Sequence, residues 1–310
     1  MSSVLFTEHR SLLLGIAYRM LGRVVEAEDA VQETVLRWQK QDATTVQTPK
    51  AWLISTLTRL CIDQLRSVQR QREDYIGIWL PEPFLNDDQN PAAPSPADTA
   101  ALGDSLGMAF MLLLETLTPL DRAVFLLREA FDRDYSEIAS IVGKSEAACR
   151  QIVSRARTQL GRTPRPSDAI ADVARTESLV ARFTEACRTG NLNELLALLT
   201  EDAVLYTDGG GKVKSRLKPI HSALYASRFL AGISPHVFRE AISRPAVVNG
   251  HPGMIQRRPN GILTVNAFEF DESGTRIKAI YIVSNPDKLT HAPALALAQG
   301  QSPDPSQSPS

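Results

Sequence analysis

The chain has 310 residues, of which 43% are hydrophobic and 22% are charged, an ordinary composition for a globular protein with room for more than one domain. Its formal net charge of −1 excludes a uniformly basic protein that binds nucleic acid over its whole surface, so any such binding must depend on local basic clusters. No apolar run approaches the roughly 20 residues that span a bilayer, so no membrane association is predicted.

The first segment predicts amphipathic helices. In "VEAEDAVQETVLRWQ" the apolar residues recur at helical spacing, from Ala27 to Trp38. A second helix is predicted to start at Thr48 and Pro49, a residue pair typical of helix N-termini. Polar side chains at steps of three and four share the outer face of that helix. They are Arg59, Asp63, Arg66 and Arg70.

The second segment predicts a helix-turn-helix. A helical stretch is interrupted at Pro119, and "YSEIASIVGKSEAACRQIVSRARTQL" follows, with Ser136 as a candidate cap of a short helix. Gly143 is predicted to end that helix because glycine tolerates the left-handed turn, and Ser145 to cap the next one. The outer face of this longer helix carries residue types suited to base edges and phosphates. An ordinary corner between two helices is the alternative reading of this pattern.

The third segment changes from helices to short β-like runs separated by turns such as "RPNG" and "DESG". Helices followed by mostly antiparallel strands predict a compact α+β domain. Residues 86–98 and 161–168 are rich in proline and poor in apolar bulk, so they are predicted to be linkers, and the tail 298–310 is low in complexity.

Three quoted stretches, "VVEAEDAVQETVLRWQ", "PKAWLISTLTRLCIDQLRSVQRQ" and "LTPLDRAVFLLREAFDRDYSEIASIVGKSEAACRQIVSRARTQL", resemble regions 2 and 4 of bacterial sigma-70 factors. The compact layout is similar to the extracytoplasmic-function (ECF) class. The resemblance implies a multidomain fold with two all-α sigma domains, a region 2 helical bundle and a region 4 helix-turn-helix, and a C-terminal α+β domain. The expected bounds are 1–75 for region 2, 76–104 for a linker, 105–162 for region 4, 170–290 for the C-terminal domain and 291–310 for a disordered tail.

The resemblance also implies a transcription initiation factor that binds core RNA polymerase, recognises the −10 and −35 promoter elements and melts the −10 region. Polymerase performs the chemistry, so neither enzymatic activity nor a cofactor is expected. The residues expected to dock on the polymerase β′ subunit are Asp29, Gln32, Glu33 and Leu36. The −10 element is assigned to Arg59, Asp63, Arg66 and Arg70, with a base pocket within 42–47. The −35 element is assigned to Glu146, Arg150, Gln151, Ser154, Arg155 and Arg157.

Further motifs resemble those of an ECF subgroup with a fused SnoaL-like, cone-shaped C-terminal domain that modulates sigma activity within the same chain. The motifs are "IGIWLPEPF" (76–84), "DGGGK" (208–212) and "NPDKL" (285–289). The residues expected to be regulatory are Trp79, Pro81, Glu82, Pro83, Asp208, Gly209, Gly210, Gly211 and Lys212. A phosphate-binding loop is the less favoured reading of "DGGGK", because Val213 stands where such a loop needs Ser or Thr.

Two other functions remain open at this point. One is a C-terminal pocket that holds a small ligand or an active site built from Tyr206, Asp208, His221 or His236, with the helices serving for localisation. A repressor that acts without polymerase is disfavoured by the acidic helix around Asp29, which repels DNA. The three widely spaced cysteines predict reduced thiols and no metal site, and the protein is expected in the bacterial cytoplasm, at the nucleoid when bound to the β′ and β subunits of polymerase.

Overall fold

The computed structural model of the protein describes residues 2–42, 46–72, 75–86, 107–160 and 173–292. Two helical segments come first and a mixed sheet with its own helices follows. The first part contains α1 (Ser2–Leu21), α2 (Val24–Gln39), α3 (Pro49–Arg72), β1 (Leu85–Asn86), α4 (Met108–Leu114), α5 (Pro119–Glu129), α6 (Tyr135–Val142) and α7 (Glu146–Leu160). The second contains α8 (Val173–Thr189), α9 (Leu192–Leu198), β2 (Leu199–Asp208), β3 (Ile220–His221), α10 (Ala223–Val237), β4 (Ile242–Val248), β5 (His251–Arg257), β6 (Leu263–Phe270), β7 (Ile277–Val283) and a 3₁₀ turn (Pro286–Lys288).

Local signals start and stop the helices much as the sequence predicts. α3 begins at Pro49, and Thr118 caps α5 by accepting a hydrogen bond from the Asp121 N–H. Gly143 has φ +66° and ends α6, after which the Ser145 hydroxyl accepts the Ala148 N–H at the start of α7. The predicted cap of α6 was wrong, because the helix begins one residue before Ser136 and its N-cap position is Asp134. The helix-turn-helix is therefore present as α6, a glycine turn and α7.

The two helical segments share one apolar core. α1 and α3 pack against α5, and α3 also packs against α6, so a single apolar cluster runs through both segments. The buried Arg122 ties them further, since Nη1 donates to the Met20 carbonyl at 2.6 Å and to Glu115 Oε1 at 2.9 Å. The two helical modules, predicted from the sequence as separate domains, are thus held in contact in this structure.

The C-terminal domain is built on a mixed sheet with the strand order β1-β4-β5-β6-β7-β2-β3. β2 and β7 run parallel and the other pairs are antiparallel. α8, α9 and α10 cover one face of the sheet and bury a second apolar core that includes Phe183, Leu230 and Phe268. The strand β1 comes from the predicted linker and extends the sheet at the free edge of β4.

The other face of the sheet packs against the sigma-like half of the chain. A third apolar cluster joins Leu80 of the linker and Met108 of α4 to sheet residues such as Val265 and Tyr281. The domain is therefore a two-sided structure, with its own helices on one face and the linker and α4 on the other. This position allows the C-terminal domain to hold the linker that connects the two helical segments.

The helix α10, the linker strand β1 and the short strand β3 were missed from the sequence. Most of the stretch 86–98, all of 161–168 and the tail 298–310 lie outside the described residues, as does part of the predicted base pocket at 42–47. None of the described helices is long and apolar enough to cross a membrane.

Candidate nucleic-acid interface and its clamp

The residues predicted to dock on polymerase lie on the outer face of α2. Asp29, Gln32 and Leu36 are exposed, and Leu36 leaves 43% of its surface open although it is apolar. Glu33 is partly buried and forms an exposed ion pair with Arg37 at 2.8 Å. The opposite face of α2, from Ala27 to Trp38, is buried in the shared core. The structure thus brings the four predicted residues onto one accessible acidic stripe.

The residues predicted to read the −10 element lie on α3, where Arg59, Asp63 and Arg66 are exposed. Arg59 is not free to contact DNA in this arrangement. Its Nε donates to the Ile141 carbonyl at 3.0 Å and its Nη2 to the Ser140 carbonyl at 3.2 Å. Cations are stabilised at helix C-termini, because the last carbonyls have no partner within the helix. The side chain of Arg70 lies outside the described part of the chain.

An open groove of about 380 Å³ separates α3 from the helix-turn-helix. Arg59, Asp63 and Arg66 line it from the α3 side, and Ile141 and Gly143 line it from the turn. The face of α3 that is predicted to contact the −10 element therefore faces α6, the first helix of the predicted −35 reader, across this groove.

The residues predicted to read the −35 element are all exposed on α7. They are Glu146, Arg150, Gln151, Ser154, Arg155 and Arg157. Two of the cations are held by carboxylates, since Arg150 pairs with Glu146 at 2.7 Å and Arg157 pairs with Glu129 at 2.8 Å. The buried face of α7, which includes Cys149, Ile152 and Leu160, anchors the helix in the core. These exposed ion pairs are worth about 0–1 kcal/mol each, so phosphates can replace the carboxylates at small cost.

A buried ion pair joins the C-terminal domain to the linker. Asp208 at the end of β2 and Lys288 after β7 are 0% and 3% exposed, and the Lys288 ammonium lies 2.7 Å from Asp208 Oδ2. The same carboxylate accepts the Leu80 N–H at 2.9 Å and the Tyr75 hydroxyl at 2.5 Å, and Asn285 Nδ2 donates to that hydroxyl at 2.9 Å. We call this set the clamp: Tyr75, Asp208, Asn285, Lys288 and the backbone of Leu80.

Aromatic rings of the linker complete the surroundings of the clamp cation. The Lys288 ammonium lies 4.1 Å from the centroid of the Trp79 ring and 4.9 Å from that of Tyr75. It also donates a hydrogen bond to the Leu80 carbonyl. A desolvated cation gains from such rings because their faces carry negative charge. Lys288 thus brings together two residues that were predicted to be regulatory, Trp79 and Asp208. In the sequence, Lys288 lies in the motif "NPDKL", but no role was predicted for it.

The glycine run after Asp208 is a tight loop that docks on the clamp. Gly210 has φ +60°, and a Cβ there would lie 2.3 Å from the Asn285 amide, so only glycine fits. A Cβ on Gly209 would meet the Val213 carbonyl oxygen at 1.9 Å. The Lys212 ammonium forms an exposed ion pair with Asp287 at 2.7 Å. The loop reading of "DGGGK" agrees with this geometry, in which the glycines allow close approach.

The segment "WLPEPF" binds both halves of the protein. Toward α1 and α2, the Tyr18 hydroxyl donates to the Glu82 carbonyl at 2.7 Å and the Val24 N–H donates to Glu82 Oε2 at 3.1 Å. Toward the sheet, the Phe84 N–H donates to Asn249 Oδ1 at 3.1 Å. Pro81 and Pro83 flank Glu82 and are buried with it. This segment is therefore a buried strap and not a solvated linker.

Burial raises the pKa of the Glu82 carboxyl to about 7, while the Val24 N–H and the nearby Arg23 guanidinium act in the opposite direction. Arg23 Nε lies 3.9 Å from Glu82 Oε2, and Arg23 Nη2 donates to the Asp287 carbonyl at 3.0 Å. The protonation of Glu82, and with it the contacts of the strap, therefore changes with pH near neutrality.

The residues considered for an enzyme site do not form one. Asp208 is taken up by the clamp, and Tyr206 stacks on Tyr281 with ring centroids 5.1 Å apart. His221 on β3 and His236 in the last turn of α10 are exposed, each in a different element. Within the described residues, no group of three His, Cys, Asp or Glu side chains is placed to hold a metal ion.

Comparison with known proteins agrees with this architecture. Residues 5–71 match the family model for Sigma-70 region 2, and residues 107–160 match the model for Sigma-70, region 4. The ECF RNA polymerase sigma factor SigJ of Mycobacterium tuberculosis is 33% identical over 297 residues, which cover 93% of this chain and 93% of the relative. This chain is an ECF RNA polymerase sigma factor. The probable ECF sigma factor SigI of the same species is 33% identical over 199 residues, covering 64% of this chain and 66% of the relative.

The fold of this ECF sigma factor also has a solved counterpart. The crystal structure of M. tuberculosis SigJ superposes with a TM-score of 0.75 at 29% identity, and the match covers 94% of this chain and all of the other. The match extends over the C-terminal SnoaL-like domain as well as regions 2 and 4. The protein therefore binds core RNA polymerase and promoter DNA as a transcription initiation factor, and it is not an enzyme.

Proposed function

We propose that this sigma factor alternates between the closed arrangement described above, which is inactive, and an open arrangement that initiates transcription, and that the C-terminal domain favours the closed one through the clamp. The observation that carries the proposal is the contact of Arg59 with the Ile141 carbonyl at 3.0 Å. It joins the predicted −10 reader directly to the helix-turn-helix.

Promoter geometry opposes that contact. The −10 and −35 elements are about 25 base pairs apart, which is roughly 85 Å of straight duplex at 3.4 Å per base pair. Two readers in direct contact cannot reach both elements at once. The groove between α3 and α6 must therefore open, and Arg59 must exchange two carbonyl partners for DNA.

The clamp supports the closed state because it fixes the linker that would have to extend. The strap at Glu82 is bonded to α1 and α2 on one side, while the clamp bonds residues 75–80 to the ends of β2 and β7. Separation of region 2 from region 4 would pull on this segment. Release of the strap and the clamp is then a step toward the open state.

The finer contacts follow from the exposed faces. In the open state, Asp29, Gln32, Glu33 and Leu36 dock on the β′ subunit, while other sigma surfaces meet the β subunit and polymerase carries the protein to the nucleoid. Arg59, Asp63, Arg66 and Arg70 then read the −10 element. Residues Glu146, Arg150, Gln151 and Ser154 reach −35 base edges, and Arg155 and Arg157 contact phosphates. The regulatory set is Trp79, Pro81, Glu82, Pro83, Asp208, Gly209, Gly210 and Gly211, whereas Lys212, predicted with them, forms only an exposed ion pair at the end of the loop and serves as the control.

Run-off transcription with purified core polymerase tests the proposal. The full-length wild type, Asp208→Asn and the matched control Lys212→Met are compared on a promoter library. Asp208→Asn should raise specific transcription, because it opens the buried clamp, whereas Lys212→Met breaks only an exposed pair and should leave output unchanged. Lower transcription from Asp208→Asn, in a sample that remains folded, would show that the C-terminal domain supports initiation and would overturn the inhibitory model.

A further inference from the structure

A cluster of buried polar side chains lies on the helix-covered face of the C-terminal sheet, apart from the clamp. In β6, Asn266 pairs with Met254 of β5 and Ile282 of β7, and both of these belong to the apolar core under α8 to α10. Because side chains alternate along a strand, Thr264 shares this face with Asn266. The members of the cluster are Ser243, Gln256, Arg258, Thr264, Asn266 and Ser284.

Arg258 is a partly buried cation that forms no ion pair within the part of the chain that the structure describes. Its Nη2 donates to the hydroxyls of Thr264 and Ser284, both at 3.3 Å, and its buried Nε–H has no partner among the described side chains and backbone. No carboxylate of the described residues lies within ion-pair distance of the guanidinium. Burial also lowers the pKa of Arg258, as expected for a cation that lacks an anion. An anion bound here would give the partly buried Arg258 the pairing that buried charges normally have.

The neighbouring groups supply further unused hydrogen-bonding capacity. The hydroxyls of Thr264 and Ser284 lie 3.0 Å apart, so one proton is used between them and the other is available to an acceptor. Asn266 is 3% exposed, and its Nδ2 donates to Gln256 at 2.7 Å while its Oδ1 has no partner among the described residues. The site thus offers donors at one end and an acceptor at the other.

We propose that this cluster binds a small organic carboxylate that carries a hydroxyl group. The carboxylate would lie against Arg258 and the Thr264–Ser284 hydroxyl pair, and the hydroxyl would donate to Asn266 Oδ1. Two residues along a strand correspond to about 7 Å, which sets the distance between the two groups of the ligand. Met254 and Ile282 flank Asn266 on the neighbouring strands, so the end of the ligand that carries the hydroxyl meets apolar side chains, while Gln256 lies opposite Thr264 at the other end. A planar guanidinium suits a carboxylate, and a monoanion loses less hydration than a phosphate dianion on entering such a site.

The site and the clamp are connected through the backbone that follows β7. Ser284 directly precedes the clamp residue Asn285, and the backbone N–H groups of both donate to the Asp208 carbonyl at 2.7 and 3.1 Å. A ligand on the Ser284 side chain therefore binds a residue whose backbone N–H helps to position Asp208. This inference deepens the proposed function by assigning the domain an input, but binding at the site does not depend on whether the domain inhibits transcription.

Isothermal titration and thermal shift of the full-length protein test the site directly, without polymerase. The probes are 4-hydroxybenzoate, which carries both groups on a rigid apolar ring, benzoate, which lacks the hydroxyl, and inorganic phosphate. Wild type should bind 4-hydroxybenzoate more tightly than benzoate. Arg258→Gln should weaken both by about tenfold or more, whereas Arg228→Gln, an exposed charge on α10, should bind as wild type does. Asn266→Ala should remove the difference between the two carboxylates.

Absence of carboxylate binding to the wild type, or equal binding by Arg258→Gln, would overturn the proposal. Phosphate binding as tight as that of the carboxylates would overturn the assignment of an organic acid. If Arg258→Gln fails to fold, Thr264→Val removes a hydroxyl of the same site and should weaken both carboxylates. Because these outcomes are measured as binding, they are separate from the transcription result.

Discussion

Removal of the clamp anion should release the linker by a large and measurable factor. Asp208→Asn leaves the Lys288 ammonium buried without its partner, and it sets an amide N–H₂ among groups that are themselves donors, namely Tyr75, Leu80 and Lys288. Breaking one side of a buried ion pair costs about 3–5 kcal/mol. At 1.36 kcal/mol per factor of ten, the docking equilibrium of the linker shifts by roughly 10²–10⁴-fold.

Hydrogen exchange at the linker measures that shift. The Leu80 amide is bonded to Asp208 Oδ2 at 2.9 Å, so its exchange requires the clamp to open. Mass spectrometry of the peptide 76–84 should show a loss of protection of roughly 10²–10⁴-fold at this amide in Asp208→Asn. Lys212→Met breaks the exposed pair with Asp287 in the same loop and should change protection only about fivefold or less, since such pairs contribute about 0–1 kcal/mol.

The double variant Asp208→Asn/Lys288→Met separates the buried charge from lost packing. It removes the stranded cation, so it should restore part of the protection that Asp208→Asn loses. Equal losses in Asp208→Asn and Lys212→Met would refute the reasoning, because they would show that burial of the Asp208–Lys288 pair does not determine docking of the linker.

Three further predictions concern DNA binding, pH and the glycine turns. Arg150→Ala should weaken binding to −35 DNA by about 1–3 kcal/mol and relax the preference at one base pair, while Arg157→Ala should weaken binding to all sequences alike. Fluorescence anisotropy on a panel of promoter variants measures both effects. The same binding profile for the two variants would contradict this assignment. Burial raises the pKa of Glu82 from 4.5 to about 7, so the folded state binds the proton more tightly, and the linker should lose up to about 3 kcal/mol of docking as the pH rises through that window. In Glu82→Gln, exchange of the 76–84 peptide should not change with pH beyond its intrinsic rate, and a wild-type pH profile in this variant would exclude Glu82 as the cause. Gly210→Ala should undock the loop because its Cβ would lie 2.3 Å from the Asn285 side chain. Gly143→Ala, at φ +66° with open space around it, should lower the free energy of unfolding by only about 1 kcal/mol, as measured by urea titration.

The parts of the fold with local chemical signals could be predicted from the sequence. Pro49, Pro119 and Gly143 mark helix boundaries, and the alternating strands of the third segment are evident without a structure. The helix α10 was missed because it lacks such signals. Ser222 before it provides no side-chain cap, and Pro235 lies within its last turn, which argues against a helix on propensity alone.

The clamp and the contact of Arg59 depend on residues that are distant in the sequence. Lys288 is 80 positions from Asp208, and Arg59 is 82 positions from Ile141. Neither pair has a spacing rule that a single sequence could reveal. Motif resemblance pointed to Asp208 and Trp79 but not to Lys288 as the cation between them. The exposed faces of α2, α3 and α7 were predicted as sets because helical periodicity alone places their members together.

The closed state and polymerase affinity are linked quantitatively. If only the open state binds core polymerase, the apparent dissociation constant equals the intrinsic one divided by the open fraction. A variant that releases the clamp can then tighten polymerase binding by no more than the factor by which it increases the open population. Exchange at Leu80 reports opening of the clamp, so the loss of protection in Asp208→Asn sets an upper bound on its gain in polymerase affinity. A gain above that bound would mean that Asp208 also opposes polymerase by a route other than the linker, and a gain near it would identify the clamp as the main barrier to opening.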